Sequence, residues 1–267
     1  MRSGLLCKTN PIKPNFSNGR LRFFPQYASH FTKYDMCLSG RIYYNRSMKT
    51  KFEAILFDLD GTLLDTLVDL ANAMNAALAK MGFAVHPVDS YRYFVGDGIE
   101  NEARRALPKG HLDEKTIAEC VAMAEKEYHS RWAENTVPYR GIPKLLLGLE
   151  GRGVRKTILS NKPDKFTQVM VSKLLAKWRF EIVRGAMPSI PKKPDPTGAL
   201  QIADELGIEP GKFIYLGDTD TDMSTANAAG MYAVGALWGF RTAEELKANG
   251  AKVLVERPGD VLKLFAD

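Results

Sequence analysis

The sequence lacks the features that would indicate a disulfide-rich, zinc-stabilised or membrane protein. Its three cysteines among 267 residues are scattered and show no Cys-x-x-Cys spacing, so neither a disulfide framework nor a zinc site is expected. No run of about 18 or more apolar residues occurs, so no transmembrane helix and no membrane partner are expected. This cysteine usage fits a reducing compartment, and we predict a cytoplasmic protein.

The sequence also lacks an excess of one charge over most of its length, although its formal net charge is +6. Residues 1–47 hold eight of the 37 basic residues and one of the 31 acidic residues, which leaves 29 basic and 30 acidic residues in the rest. The chain after residue 47 is therefore nearly neutral and gives no indication of a nucleic-acid partner. With 45% hydrophobic residues over its full length of 267 residues, the protein can bury a substantial core.

Residues 1–47 lack both a sustained hydrophobic period and the apolar stretch of a secretory signal. They are rich in Asn, Ser, Pro and Gly, so we expect this segment to be disordered. Met48 directly precedes the first strand pattern. This favours an extension upstream of a start at Met48 over an organelle-targeting segment.

Beyond Met48, strand patterns alternate with helix patterns along most of the chain. An apolar run at 54–57 predicts a buried first strand. Strands alternating with helices of about ten residues indicate a Rossmann-like parallel sheet with helices on both faces, an α/β fold. The other predicted strands are 155–159, 181–184, 213–216, 232–236 and 252–255, and the predicted helices among them are 144–152, 165–175, 196–206, 222–229, 243–249 and 258–265.

The exception to this alternation is a long stretch with helical spacing and no convincing strand. It holds predicted helices over about 65–81 and 113–132. We interpret this stretch as a small all-helical domain inserted after the first strand. The predicted organisation is a core domain of residues 48–66 and 141–267 and a helical domain of residues 67–140.

Two carboxylates follow the first strand directly, in the run Asp58-Leu59-Asp60-Gly61-Thr62. Functional residues in parallel sheets collect at the carboxyl ends of the strands, which is where this pair falls. Taken alone, the run is equally compatible with aspartates that merely cap a helix. Its interpretation therefore depends on whether other strand ends supply partners.

Three other strand ends carry polar residues. Ser160 and Asn161 follow one strand, where a hydroxyl and backbone N–H groups can bind an anion, although helix capping is the commoner role. Lys193 lies just before a predicted helix and by itself is a solvated loop lysine. The run Gly217-Asp218-Thr219-Asp220-Thr221-Asp222 clusters three aspartates that repel one another. A divalent cation relieves this repulsion, and hard oxygen ligands favour Mg²⁺.

In this order, the four strand-end motifs resemble those of the haloacid dehalogenase superfamily over residues 51–267. The resemblance implies phosphoryl transfer beneath a helical cap, with residues 67–140 as the cap. It also implies that Asp58 is the nucleophile that forms an aspartyl-phosphate and that Asp60 handles protons. The implied phosphate-binding and catalytic groups are Ser160, the Asn161 amide and Lys193, and the implied Mg²⁺ ligands are Asp58, the Asp60 carbonyl, Asp218 and, through water or as a brace, Asp222.

Further runs resemble the phosphoglycolate phosphatase branch of this superfamily. They are Phe94-Val95-Gly96-Asp97-Gly98 through Arg105-Ala106-Leu107, Val137-Pro138-Tyr139-Arg140-Gly141, Ser160-Asn161-Lys162-Pro163 and Trp238-Gly239-Phe240-Arg241. This resemblance implies 2-phosphoglycolate as the substrate, with Gly96, Gly98 and Arg105 as candidate specificity residues. The chain departs from the branch at Arg140, where proline is common, and in the short run Lys177-Trp178-Arg179-Phe180.

Several functions remain open within this interpretation. The resemblance disfavours dehalogenases and phosphonate hydrolases, because those relatives do not need Asp60. A β-phosphoglucomutase-like phosphotransferase or a pyrophosphatase would use the same core. A phospho-receiver signalling module is a more distant alternative, since it lacks the helical insertion. The expected partner is a small phosphorylated metabolite, and the chain is expected to be a monomer or a homodimer.

Overall fold

The computed structural model of the protein describes residues 51–265, and the predictions for residues 1–47 lie outside this range. The strands are β1 (Ala54–Phe57), β2 (Leu64–Asp65), β3 (Val137–Pro138), β4 (Arg155–Pro163), β5 (Ile182–Ala186), β6 (Phe213–Gly217), β7 (Tyr232–Ala236) and β8 (Val253–Val255). Six of them form one sheet in the order β5-β4-β1-β6-β7-β8, and all neighbouring pairs are parallel. The predicted α/β fold with a parallel sheet is confirmed.

The helices connect these strands. They are α1 (Leu67–Lys80), α2 (Tyr91–Phe94), α3 (Ile99–Ala106), α4 (Glu114–Arg131), α5 (Ile142–Glu150), α6 (Asp164–Leu174), α7 (Thr197–Leu206), α8 (Asp220–Ala228) and α9 (Ala243–Ala248), with 3₁₀ segments at Val88–Ser90, Lys109–His111, Pro210–Lys212 and Pro258–Phe265. The last predicted helix is therefore a 3₁₀ segment rather than an α-helix. Over the described range, no helix is both long and apolar enough to cross a membrane.

Strand β1 lies in the middle of the sheet and is fully buried. Its side chains alternate between the two faces, as they must in a strand. Ile55 and Phe57 pack in a cluster with apolar side chains of α5 and α6, whereas Ala54 and Leu56 pack on the opposite face with those of α7 and α8. Because both faces are covered, the apolar run forms a central strand, and the Asp58 that follows it lies at the centre of the sheet edge.

Helices α1 to α4 form a separate apolar cluster, to which Leu67, Met74, Tyr91, Ala103 and Cys120 contribute. The segment leaves and re-enters the core through a two-stranded antiparallel ribbon, in which Leu64 pairs with Pro138 and Asp65 with Val137. The prediction that residues 67–140 hold no strand is therefore wrong at the end of that range. A two-residue strand is too short to show the alternation by which strands are predicted.

Strand β4 is longer than predicted. It continues past Leu159 to Pro163, with a register irregularity between these two residues, and Pro163 pairs with Ala186 of β5. The strand was predicted to end at Leu159, with Ser160 and Asn161 as an anion site or a helix cap, but the backbone stays extended across the irregularity and pairs with β5 again at Pro163. As a result, Ser160 and Asn161 lie on the strand itself, beside the end of β1.

Candidate active site

The acid pair lies at the carboxyl end of β1, with Asp58 6% exposed. The turn that follows depends on Gly61, which has a φ of +86°. A Cβ at this position would lie 2.3 Å from Asp218 Oδ2. The glycine therefore adopts a left-handed conformation and leaves room for a carboxylate from β6, so that two strand ends come into contact.

Lys193 joins the acids of two strand ends. Its Nζ lies 2.7 Å from Asp58 Oδ1 and 2.7 Å from Asp222 Oδ1, and its side chain is 3% exposed. Burial alone would lower the pKa of Lys193, but the charges of Asp222 and Asp58 raise it well above its usual value. The lysine predicted as part of the site is thus a buried cation held between two carboxylates, which excludes the solvated alternative.

Asp58, Asp218 and Asp222 form a buried cluster in which one oxygen of each lies within 4.8 Å of the others. Burial, followed by the charge of Asp222, raises the pKa of Asp58 well above its usual value and that of Asp218 to about 7. Lys193 can balance only one of these charges. Because the three carboxylates supply hard oxygen donors with excess negative charge, they fit a divalent cation such as Mg²⁺.

Two of the three aspartates that follow β6, Asp218 and Asp222, are held in fixed orientations. Asp218 accepts hydrogen bonds from Thr62 Oγ1 at 2.7 Å and from the Phe240 backbone N–H at 2.8 Å. Thr219 caps α8 in a reciprocal arrangement with Asp222: the Thr219 backbone N–H donates to Asp222 Oδ2 at 3.1 Å, and the Asp222 backbone N–H donates to Thr219 Oγ1 at 3.3 Å. The Thr219 hydroxyl also donates to Asp222 Oδ2, at 2.7 Å. The roles of Thr62 and Phe240 were missed in the sequence, although both belong to runs that carried the resemblance.

Asp60 has a partner that the sequence analysis did not assign. Both of its carboxylate oxygens accept hydrogen bonds from Lys162 Nζ, at 2.9 and 3.1 Å. The same ammonium group lies 4.7 Å from the ring centroid of Tyr128 in α4. Burial would lower the pKa of Lys162, but the charge of Asp60 raises it. Lys162 therefore fixes the direction of the Asp60 carboxylate and contacts the helical segment at the same time.

The residues at the end of β4 differ in what they contact. Ser160 is buried beside the acid cluster, and its hydroxyl accepts a hydrogen bond from the Lys162 backbone N–H at 3.2 Å. The Asn161 side chain accepts from the Lys193 N–H at 2.8 Å and donates to the carbonyls of Lys193 and Gly96. The Asn161 side chain thus fixes the lysine loop and ties it to the loop before α3.

A cavity of about 350 Å³ lies between the helical segment and the sheet edge. Asp58, Asp60 and Ser160 lie on its wall, whereas much of the remaining lining is apolar. The apolar lining consists of Leu70, Ala73, Met74, Val95, Ile99, Ala124, Pro163, Phe166 and Phe240. Reactive groups at the strand ends and a largely apolar enclosure are typical of a small-molecule site.

Two of the three candidate specificity residues reach this cavity. Gly96 and Gly98 line it. Arg105 does not belong to its lining, because its guanidinium is engaged by Asp97 Oδ1 and Oδ2, both at 2.6 Å, and by the Phe94 carbonyl. Asp220, the remaining aspartate after β6, is 49% exposed and pairs with Arg241 at 3.4 Å.

Known proteins resemble the chain in both sequence and structure. The family model described as haloacid dehalogenase-like hydrolase matches residues 55–236. A phosphoglycolate phosphatase from Aquifex aeolicus is 33% identical over 79% of this chain and 95% of its own length. One from Pseudomonas putida is 30% identical over 76% of this chain and 75% of its own. A solved structure from Lactobacillus delbrueckii has a TM-score of 0.77 at 26% identity, covering 81% of this chain and all of the other.

Proposed function

The chain belongs to the haloacid dehalogenase-like hydrolase family and is a phosphoric monoester hydrolase, and from this premise we propose that it is a Mg²⁺-dependent phosphatase acting through an aspartyl-phosphate on a small phosphorylated metabolite. The substrate that we propose first is 2-phosphoglycolate. The observation that carries the proposal is the buried cluster of Asp58, Asp218 and Asp222 around Lys193 at the sheet edge.

In the proposed reaction, a carboxylate oxygen of Asp58 attacks phosphorus, and the bond from phosphorus to the leaving oxygen breaks. Asp60 donates its proton to that oxygen, so that the product leaves as an alcohol. In the second half-reaction, Asp60 accepts a proton from water as the water oxygen attacks the aspartyl-phosphate. The bond between phosphorus and Asp58 then breaks, which releases inorganic phosphate and regenerates both carboxyl groups.

Three groups next to Asp58 would bind the transferring phosphoryl group. They are the Ser160 hydroxyl, the Asn161 backbone N–H and the Lys193 ammonium group. Hydrogen-bond donors fixed before the reaction stabilise charge on the phosphoryl oxygens without the cost of reorganisation. The side-chain contacts of Asn161 and Lys193 support this assignment, because they hold both residues in place.

Mg²⁺ would be held by Asp58, Asp218 and the Asp60 backbone carbonyl. Asp222 acts as a brace, because its oxygens are already engaged by Lys193, by Thr219 and by the Asp218 N–H. When bound, the metal neutralises charge on the phosphoryl group and the carboxylates. Thr62 and Phe240 keep the Asp218 carboxylate directed towards the cluster.

We propose that the segment from α1 to α4 acts as a cap that encloses the leaving group. Reciprocal contacts join it to the core loop after β7: Arg92 donates to the Gly239 carbonyl at 2.9 Å, and Arg241 donates to the Arg92 and Val95 carbonyls. Enclosure excludes water while the aspartyl-phosphate exists. The substrate itself is suggested by the names of the relatives and by the loop runs of the branch.

A substrate panel tests the proposed function. Purified protein is offered 2-phosphoglycolate, pyrophosphate, glucose 1-phosphate and other sugar phosphates, with Mg²⁺ or with EDTA, and released phosphate is measured. We expect turnover with Mg²⁺, almost none with EDTA, and the highest kcat/KM for 2-phosphoglycolate. A kcat/KM for sugar phosphates far above that for 2-phosphoglycolate would refute the substrate. Turnover that persists in EDTA would refute the metal requirement.

Lys162 provides a test of the role of Asp60. Replacing Lys162 with Met keeps the length of the side chain but removes the ion pair that directs the Asp60 carboxylate. Protonation of the leaving oxygen matters for alkyl esters and hardly at all for p-nitrophenyl phosphate. Because general acid catalysis contributes about 10²–10⁴-fold, we expect kcat to fall about 10²-fold for alkyl esters and much less for the aryl ester.

Lys156→Met is the matched control for this experiment. Lys156 lies on the same strand, is 5% exposed and pairs with Glu150 at 3.1 Å, outside the cavity lining. If the loss of a buried lysine acted only by weakening the fold, it would lower the turnover of alkyl and aryl esters equally. Equal losses for Lys162→Met would therefore rule out a positioning role, and Lys162→Arg should restore part of the difference.

A further inference from the structure

Glu102 in α3 is a buried carboxyl group for which the described part of the chain, residues 51–265, supplies no partner. It is 5% exposed and lines the cavity. Within residues 51–265, its side chain makes neither a hydrogen bond nor an ion pair. Burying a carboxyl group without a partner costs free energy. A donor that satisfies it would therefore have to come from whatever fills the cavity.

The charged groups around Glu102 are already paired with one another. Lys162 is bound to Asp60, and Arg105 is bound to Asp97. Burial raises the pKa of Glu102 to about 8, and the opposing charges of these two pairs largely offset each other. Both the neutral and the ionised carboxyl group have an oxygen that can accept a hydrogen bond. The acceptor is thus available to a ligand in either form.

Glu102 lines the same cavity as Asp60 and Lys162, and Asp60 is the residue that would protonate the leaving oxygen, so we place Glu102 on the leaving-group side of the proposed reaction. Its charge interacts with those of Asp60 and Lys162, the proton-transfer residue and its positioning partner. The cavity of about 350 Å³ falls within the size range of pockets for ligands much larger than a two-carbon acid. Because much of its lining is apolar, Glu102 is a polar group that can distinguish one end of a leaving alcohol from another.

We propose that Glu102 is a specificity-determining residue that selects phosphate esters whose leaving alcohol carries a hydrogen-bond donor, a hydroxyl or an ammonium group. This inference rests on the proposed phosphatase function, and it adds a second class of substrate to 2-phosphoglycolate. A site built to hydrogen-bond a substrate group discriminates strongly against analogues that lack the group, because its buried polar atom then stays unpaired.

Matched esters that differ only in the terminal group test the proposal. A two-carbon and a three-carbon series are used, ending in hydroxyl (2-hydroxyethyl and 3-hydroxypropyl phosphate), ammonium (2-aminoethyl and 3-aminopropyl phosphate) or methyl (ethyl and propyl phosphate), with 2-phosphoglycolate alongside. The readout is kcat/KM at one fixed pH with Mg²⁺. In at least one series, we expect kcat/KM to be about tenfold or more higher for the hydroxyl or the ammonium ester, whichever is the better substrate, than for the methyl-terminated ester.

Two variants identify Glu102 as the cause of this preference and distinguish the two donors. Glu102→Leu removes the acceptor and should abolish the preference while leaving hydrolysis of the methyl esters largely intact. Glu102→Gln keeps an acceptor oxygen but no charge. This variant should still prefer hydroxyl-terminated esters to methyl-terminated esters, but it should lose any preference for ammonium-terminated esters. Glu119→Gln, the same change at an exposed position of α4, should leave the ranking unchanged.

The stability of the free protein separates a substrate-binding role from a structural one. Glu102→Leu removes an unpaired buried carboxyl group, so its Tm should equal or exceed that of the wild type; a clear decrease would indicate a structural role and contradict the inference. An ester ranking independent of residue 102 would overturn the inference while the phosphatase function stands. Failure of the wild type to hydrolyse any of the esters would refute the proposed function itself.

Discussion

Asp58→Asn is expected to reduce turnover by about 10⁴-fold or more, the scale seen when a covalent nucleophile is removed. An amide nitrogen or oxygen is a poor nucleophile, and it cannot form the acyl-phosphate. The fold should tolerate the change, because asparagine is nearly the same size as aspartate and its side-chain oxygen can still accept the hydrogen bond from Lys193. Phosphate release under substrate saturation, with circular dichroism as the check on folding, measures the effect.

Asp220→Asn is the matched control, because Asp220 belongs to the same acidic run as Asp218 and Asp222 but is half-exposed and pairs with Arg241. Its kcat should stay within a few-fold of the wild-type value. Rapid quenching with ³²P-labelled substrate should trap a protein-bound phosphoryl group in the wild type and none in Asp58→Asn. Full turnover by Asp58→Asn would eliminate Asp58 as the nucleophile.

Lys193→Met is expected to lower the free energy of unfolding by about 3–5 kcal/mol, the usual cost of breaking a buried ion pair by removing one partner. The substitution leaves Asp58, Asp218 and Asp222 clustered without the buried cation that now contacts two of them. Turnover should be lost at the same time, because the proposed phosphoryl-binding cation is removed. Urea unfolding without added metal measures the stability change.

A second substitution separates the two effects of losing Lys193. In Lys193→Met/Asp222→Asn, one of the repelling charges is removed as well, so part of the lost stability should return while turnover stays absent. Lys212→Met, which removes a half-exposed lysine paired with Glu53, should change stability by about 1 kcal/mol or less. Equal effects of Lys193→Met and Lys212→Met would show that the central lysine does not offset the acid cluster.

The sequence by itself predicted the alternation of strands and helices and the four strand ends that meet in the site. These signals are local, because an apolar run followed directly by Asp58 can be recognised from a segment of about ten residues. The alternation implies parallel strands, and parallel strands place their carboxyl ends on one edge. This geometry predicts that Asp58, Asp218 and Asp222 lie close together, whereas the place of Lys193 in the site was implied by the resemblance to the haloacid dehalogenase superfamily.

Other features were decided by contacts between distant parts of the chain. Lys162 and Asp60 are 102 positions apart, and Thr62 and Asp218 are 156 apart. No local pattern distinguishes such pairs from solvated side chains. Likewise, β4 extends past its predicted end at Leu159 to Pro163, where it pairs with Ala186 of β5, a contact that the local sequence of β4 does not indicate.

Glu102 shows the strongest contrast between what the sequence indicates and what the tertiary structure decides. In the sequence it is one glutamate in a charged, helical stretch, where a solvated position is the ordinary expectation. Only the packing of α3 against the other helices and the sheet edge turns it into a buried acceptor facing the cavity. The sequence thus determined the chemistry at the strand ends, whereas the tertiary structure decided which side chains surround the leaving group. The difference arises because burial depends on every element that packs around a residue.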